Sequence, residues 1–172
     1  MLKKRIILLI ILAFTAAALF CPAVNVLEIR SRKNHLQHYY SRAAFKSGFT
    51  ISYTHSVNKG RVHDYYRTTP ETSGQWGLEL FQTDFVSYGA GIPEPEETPG
   101  AVFSVNGNTY SISNLNRKMD KLTMAVGIIA NHSFNSGESE EKPLLNFFPA
   151  QTSIELKVKK ISLAKYILGK KI

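Results

Sequence analysis

His55, Asp64 and His132 are the side chains of this sequence best suited to chemistry. Two imidazoles and a carboxylate can hold a transition metal, move a proton or hydrogen-bond a polar ligand. Their spacing is not that of a known metal motif, since neither His-x-His nor His-Glu-x-x-His occurs. The plainer alternative is a His55–Asp64 hydrogen bond inside a sheet, with His132 fixing a turn. Gly89 and Gly91, in the run Gly89-Ala90-Gly91-Ile92-Pro93, could aim successive amide hydrogens at an anion, or simply make a tight turn. Asn131 adds an amide beside His132. Ser56 adjoins His55, but neighbours on a strand point to opposite faces, so these two cannot form a nucleophile–base pair. No Gly-x-Ser-x-Gly elbow is present.

The elements that must position these groups are strands. Phe49, Ile51, Tyr53, His55 and Val57 alternate with Thr50, Ser52, Thr54 and Ser56, the period of a half-buried strand. Asn58-Lys59-Gly60-Arg61 supplies turn chemistry before a second β-rich run, so the stretch reads as a hairpin. A four-residue loop sets Val57 against Val62, His55 against Asp64 and Tyr53 against Tyr66. A three-residue loop would turn Val62 to solvent, a slip that a buried face penalises. The expected pairing therefore places His55 and Asp64 in cross-strand contact on the inner face.

The chain of 172 residues is one domain's worth, and its 44% hydrophobic and 20% charged content is that of a globular protein. Its net charge of +8 falls to +5 once Lys3, Lys4 and Arg5 are set aside. With no nucleic-acid motif beside so mild a charge, no nucleic-acid partner is expected. The single cysteine, Cys21, excludes an intramolecular disulfide and any cysteine-clustered metal site, and no cofactor is implied.

Residues 1–27 read as a signal peptide or an N-terminal membrane anchor. Lys3, Lys4 and Arg5 precede the apolar run Ile6 to Phe20, and the next charge is Glu28, so Ile6 to Leu27 is long enough to span a bilayer as a helix. Cys21-Pro22-Ala23 is a poor cleavage site, which favours a retained anchor over secretion after cleavage. The body is then extracytoplasmic and attached to the cell membrane through this helix.

Residues 28–161 read as a β domain and 162–172 as a basic tail. Strands are expected at Val24 to Arg30, Leu36 to Tyr40, Trp76 to Phe85, Leu122 to Ile129, His132 to Asn135 and Ser153 to Ile161. A hairpin joins Gly100–Val105 to Thr109–Ser113 through Asn106-Gly107-Asn108. Helix is expected only at Pro143 to Phe148 and Ser162 to Leu168. The fold class is all-β, a single-domain antiparallel β-sandwich or partly closed barrel, with an N-terminal hydrophobic helix and a short basic C-terminal helix or tail.

Ser52-Tyr53-Thr54-His55-Ser56-Val57, Val62-His63-Asp64, the segment from Phe85 to Pro93 and Asn131-His132-Ser133, in this order and spacing, resemble the DUF1850 family of exported bacterial proteins. Asp64 stands where that family often has glutamate. The resemblance implies no particular reaction. It implies a TRAP-type solute transporter or its solute-binding protein as partner, because family genes often lie beside those of such transporters.

The functional expectation is an exported, non-catalytic binding or accessory protein. It would take a small anionic solute at a ligand site of His55, Asp64, Gly89, Gly91, Asn131 and His132, without a catalytic residue or a metal. Two alternatives are a metal-dependent or acid–base hydrolase using His55, Asp64 and His132, and a purely structural interaction protein.

Overall fold

A computed structural model describes residues 2–34, 36–57, 59–86, 98–137 and 140–172, without the side chains of Leu2 and Leu8. Helix α1 spans Leu2–Phe20 and leads within two residues into β1 (Pro22–Ser31) and β2 (His38–Ser41). A short helix, α2 (Arg42–Ser47), then passes the chain to β3 (Phe49–Thr54), β4 (Arg61–Pro70), β5 (Trp76–Phe85), β6 (Val102–Asn106) and β7 (Thr109–Met119). The remainder is β8 (Leu122–Ala125), β9 (Ser133–Ser136), β10 (Lys142–Pro143), a 3-10 turn at Leu144–Asn146, β11 (Ser153–Ser162) and α3 (Leu163–Leu168).

Two antiparallel sheets face each other. The smaller has the order β2-β1-β11-β8 and the larger β10-β9-β3-β4-β5-β7-β6. Leu27 and Ile29 of β1, with Ile154, Leu156 and Val158 of β11, meet Ile51, Val62, Tyr66, Leu78, Phe85, Ile112 and Phe134 of the larger sheet in one core. Each such fully buried side chain contributes about 1.5–3 kcal/mol. The fold is thus a sandwich, not a closed barrel. The expected strand at Leu122 to Ile129 stops at Ala125, and α2 was not expected. That helix is only six residues long, too short for a periodic signal, and is set by the Ser41 cap, whose hydroxyl accepts from the Ala44 amide at 3.2 Å.

The N-terminal segment differs from the expected span. Val24, Val26 and Leu27, which fall both in the apolar run to Leu27 and in the expected strand Val24 to Arg30, are buried in β1, because the β11 ladder takes over from Pro22 onward. Helix α1 ends at Phe20, and among the described residues no helix is long and apolar enough to cross a membrane.

The hairpin of β3 and β4 forms, with a different register. Phe49 pairs with Tyr66, Ile51 with Asp64, Tyr53 with Val62 and Thr54 with Arg61. The loop is therefore residues 55–60, tied by the His55 amide donating to the Gly60 carbonyl at 2.8 Å. Val57 lies in this turn, exposed, and does not face Val62. Gly48 pins the register at the other end. Its φ is 82°, and a Cβ there would come within 2.5 Å of the Tyr66 carbonyl oxygen, so only glycine brings β3 in against Tyr66. Phe49 and Tyr66 then stack at 5.0 Å.

Candidate functional site

The observed register separates the two groups expected to meet. Asp64 lies opposite Ile51, four residues before His55 on the same strand direction, a distance of about 13 Å along an extended chain. His55 is buried and serves its own turn, where its Nδ1 accepts from the Val57 amide at 3.3 Å. Asp64 belongs to an inner rank of cross-strand neighbours, Phe134–Ile51–Asp64–Thr83–Ile112–Phe103. There it accepts from the Thr83 hydroxyl at 2.7 Å and from the Tyr53 hydroxyl. Burial pushes its carboxyl up, and the bonds from Thr83 and Tyr53 and the Arg117 charge only partly oppose this.

His132 packs on Tyr53 with ring centres 5.8 Å apart and accepts from the Gly127 amide at 3.2 Å, so it braces the 127–132 turn. Burial, and then the charge of Arg61, lower its pKa. Tyr53 thus links Asp64 to His132. Asn131, at φ 44°, gives its carbonyl to Arg61 at 2.9 Å. Gly89 and Gly91 lie outside the described residues. Among the described residues, no group of three or more His, Cys, Asp or Glu side chains is placed to hold a metal ion.

The outer face of the same strands carries a second rank, of which none of the expected site residues is a member. Ser133, Ser52, His63, Asp84, Ser111 and Ser104 are direct cross-strand partners on β9, β3, β4, β5, β7 and β6. Alternation sets them opposite the apolar rank, one residue along each strand. At its open half, Asp84 accepts from Ser111, from Gln82 at 2.9 Å and from Tyr65. Burial and then the Asp84 charge push the Tyr65 hydroxyl up to about 12.

At the other half, the carboxylate of Glu141, next to β10, reaches over the rank. It accepts from Ser52 at 2.7 Å, from Ser133 at 2.8 Å and from Arg61 at 3.1 Å, with His63 Nδ1 at 3.5 Å. Arg61 also donates to Ser133 at 2.6 Å. Burial acts to raise the Glu141 carboxyl, but bonds from Ser52, Ser133 and Arg61, with the Arg61 charge, outweigh it and hold the group below the usual carboxylate range. An ionised carboxylate only accepts, so the Ser52 proton goes to Glu141. The Ser52 oxygen, 2.8 Å from His63 Nδ1, then takes that nitrogen's hydrogen, leaving Nε2 as the acceptor of the neutral ring.

A family model described as Domain of unknown function (DUF1850) matches residues 49–142, just over half the chain. The chain belongs to this family. The DUF1850 span opens on the first residue of β3 and closes on Lys142 of β10, so it encloses both ranks and the Glu141 contact. No curated protein and no solved structure matches the chain significantly.

The signal for the outer rank was present, though dispersed. Arg61, His63 and Tyr65 alternate with Val62, Asp64 and Tyr66, and Gln82 and Asp84 with Thr83 and Phe85, so chemistry-bearing residues occupied the positions that face away from a core. Glu141 carried no local signal, being 89 residues from Ser52 and 80 from Arg61.

Proposed function

We propose that the protein is an exported, non-catalytic binding component that recognises a small carboxylate solute and acts as an accessory to a TRAP-type solute transporter, tethered to the membrane by α1. One observation carries the ligand class. Donors from three strands, the Ser52 and Ser133 hydroxyls and the Arg61 guanidinium, converge on a single carboxylate, which is the equipment of a carboxylate receptor. Glu141 fills that position with its side chain 41% exposed, at the start of an edge strand of two residues, where it can be displaced. Asn131 and His132, flanking Arg61, form the rim. Binding is favoured over nucleophilic chemistry because Ser52, the hydroxyl joined to an imidazole, is 1% exposed and its proton is committed to Glu141. The transporter link and the export rest on the family resemblance and on the order of basic and apolar residues at the N-terminus.

The test is calorimetry of the full chain with acetate and succinate. Glu141→Ala is expected to bind at least about tenfold more tightly than the native chain, a difference of about 1.4 kcal/mol. Adding Arg61→Ala is expected to abolish the gain. No binding to Glu141→Ala, or binding indifferent to Arg61, would withdraw the ligand class. A phosphatase fusion after Ile172 should be active in intact cells, and the transporter's solute-binding protein should co-purify with the tagged chain. An inactive fusion removes the export reading, and failure of co-purification removes the accessory role.

A further inference from the structure

We infer that α3 and the C-terminal residues form a second membrane contact, seated beside α1 on a bilayer containing anionic phospholipid. The inference rests on attachment through α1 and adds what that helix lacks. The uninterrupted apolar part of α1, Ile6 to Phe20, is about 22 Å long as a helix, against a hydrocarbon core of about 30 Å. It cannot lengthen at its C-terminal end, because Pro22 is already paired with Ser162 in the sheet. That pairing places the start of α3 next to the end of α1, and the two helices touch.

The two sides of α3 differ. Leu163 and Tyr166 pack on Val24, Val26, Tyr40 and Ile161 of the smaller sheet. Ile167 and Leu168 are exposed, Leu168 at 85%, as are Leu19 and Phe20 at the end of α1. Lys165, Lys170 and Lys171 belong to the same segment, their ammonium groups over the rings of Tyr40, Tyr39 and Tyr166 respectively, and Lys171 Nζ also donates to the Tyr166 and Gly169 carbonyls. Among the described residues none of these three lysines is in an ion pair. An apolar helix end whose segment carries lysines outside any ion pair, next to the end of an apolar helix, complements acyl chains below and phosphate headgroups at the rim. Attachment by a short apolar segment is commonly secured by just such a second, basic contact.

The experiment places an environment-sensitive fluorophore at Leu168→Cys in a Cys21→Ser background of the full chain. The protein is reconstituted into vesicles of phosphatidylcholine with or without phosphatidylglycerol, and a Ser104→Cys probe on the far sheet serves as reference. The Leu168 probe should shift to the blue and be quenched by nitroxide lipid, more strongly with phosphatidylglycerol, while the Ser104 probe stays in water. Lys170→Gln and Lys171→Gln should each lower the ratio of lipid-seated to water-exposed probe by about fivefold. Three results overturn the inference separately. If the chain fails to float with vesicles, attachment through α1 fails too. If it floats while both probes remain equally open to aqueous iodide, α3 alone is excluded from the bilayer. Shielding that persists in zwitterionic detergent and grows with protein concentration marks a second copy of the chain as the occupant instead, and likewise overturns it.

Discussion

Glu155 on one outer face of the sandwich and Glu141 on the other are each clasped by an arginine, and these two clasps are built for different ends. Glu155 sits within β11, between β1 and β8, with its side chain 5% exposed. It accepts from Arg30 Nε at 3.1 Å, from Arg30 Nη2 at 2.8 Å and from Lys121 at 3.0 Å. Glu141 is eight times more open and is held chiefly by hydroxyls and one arginine contact, at the edge of the larger sheet. A carboxylate in a paired central strand cannot leave without breaking the ladder, whereas one beside a two-residue edge strand can. The first clasp is a fastening of the fold, and the second has the form of a receptor.

The contrast can be broken by mutation. Arg30→Ala leaves Glu155 buried with Lys121 as its remaining cation, and chemical denaturation should show a loss of about 2–3 kcal/mol. Glu141→Ala exposes hydroxyls that water can reach from the open side, and the same measurement should show about 1 kcal/mol or less, recovered by added acetate. Equal losses at the two positions, or no recovery, would erase the distinction.

Acid sharpens it. Both glutamates have folded pKa values below the usual range: burial acts to raise each, and is outweighed at Glu155 by the hydrogen bonds and charges of Lys121 and Arg30 and at Glu141 by Ser52, Ser133 and Arg61. The folded state therefore binds those protons less readily than the unfolded chain. Their stabilisation is complete above the ordinary carboxylate range and is lost as pH falls through the lowered folded values. Glu155→Gln and Glu141→Gln should each flatten the acid limb of a stability–pH curve.

Asp64, inside the sandwich, has the opposite sign. Its folded pKa is raised by burial, so ionisation opposes folding once pH climbs past the unfolded value of about 3.9. Asp64→Asn keeps an acceptor for Thr83 and should raise stability at neutral pH by up to about 1 kcal/mol, with the gain vanishing in acid. A loss at neutral pH would show that the charge itself is needed there.

The period-two pattern made the faces of β3 and β4 legible. Ile51, Val62 and Tyr66 point inward as expected, and His55 is buried. The pattern penalises a slip of one residue but is blind to a slip of two on each strand, which returns every side chain to its face. The register was settled instead by Gly48 against Tyr66 and by the neighbours β9 and β5. The N-terminal run posed the same difficulty. Hydropathy does not distinguish an apolar helix from a buried strand, so Val24 to Leu27 read both as the end of the apolar span and as the start of a strand, and pairing with β11 decided for the strand.

By itself the sequence determined the alternation of strands and turns, the sandwich class, the basic and apolar N-terminus and the family, because each of these is written in neighbouring residues or in their order. Tertiary structure alone decided which polar groups meet. His55 and Asp64 lie nine positions apart and are held away from each other by the ladder, while Ser52, His63 and Asp84 share one rank and Glu141 arrives from a distant edge. Pairing across a sheet depends on the backbone hydrogen bonds of every strand between the partners, and no local stretch of residues encodes that sum.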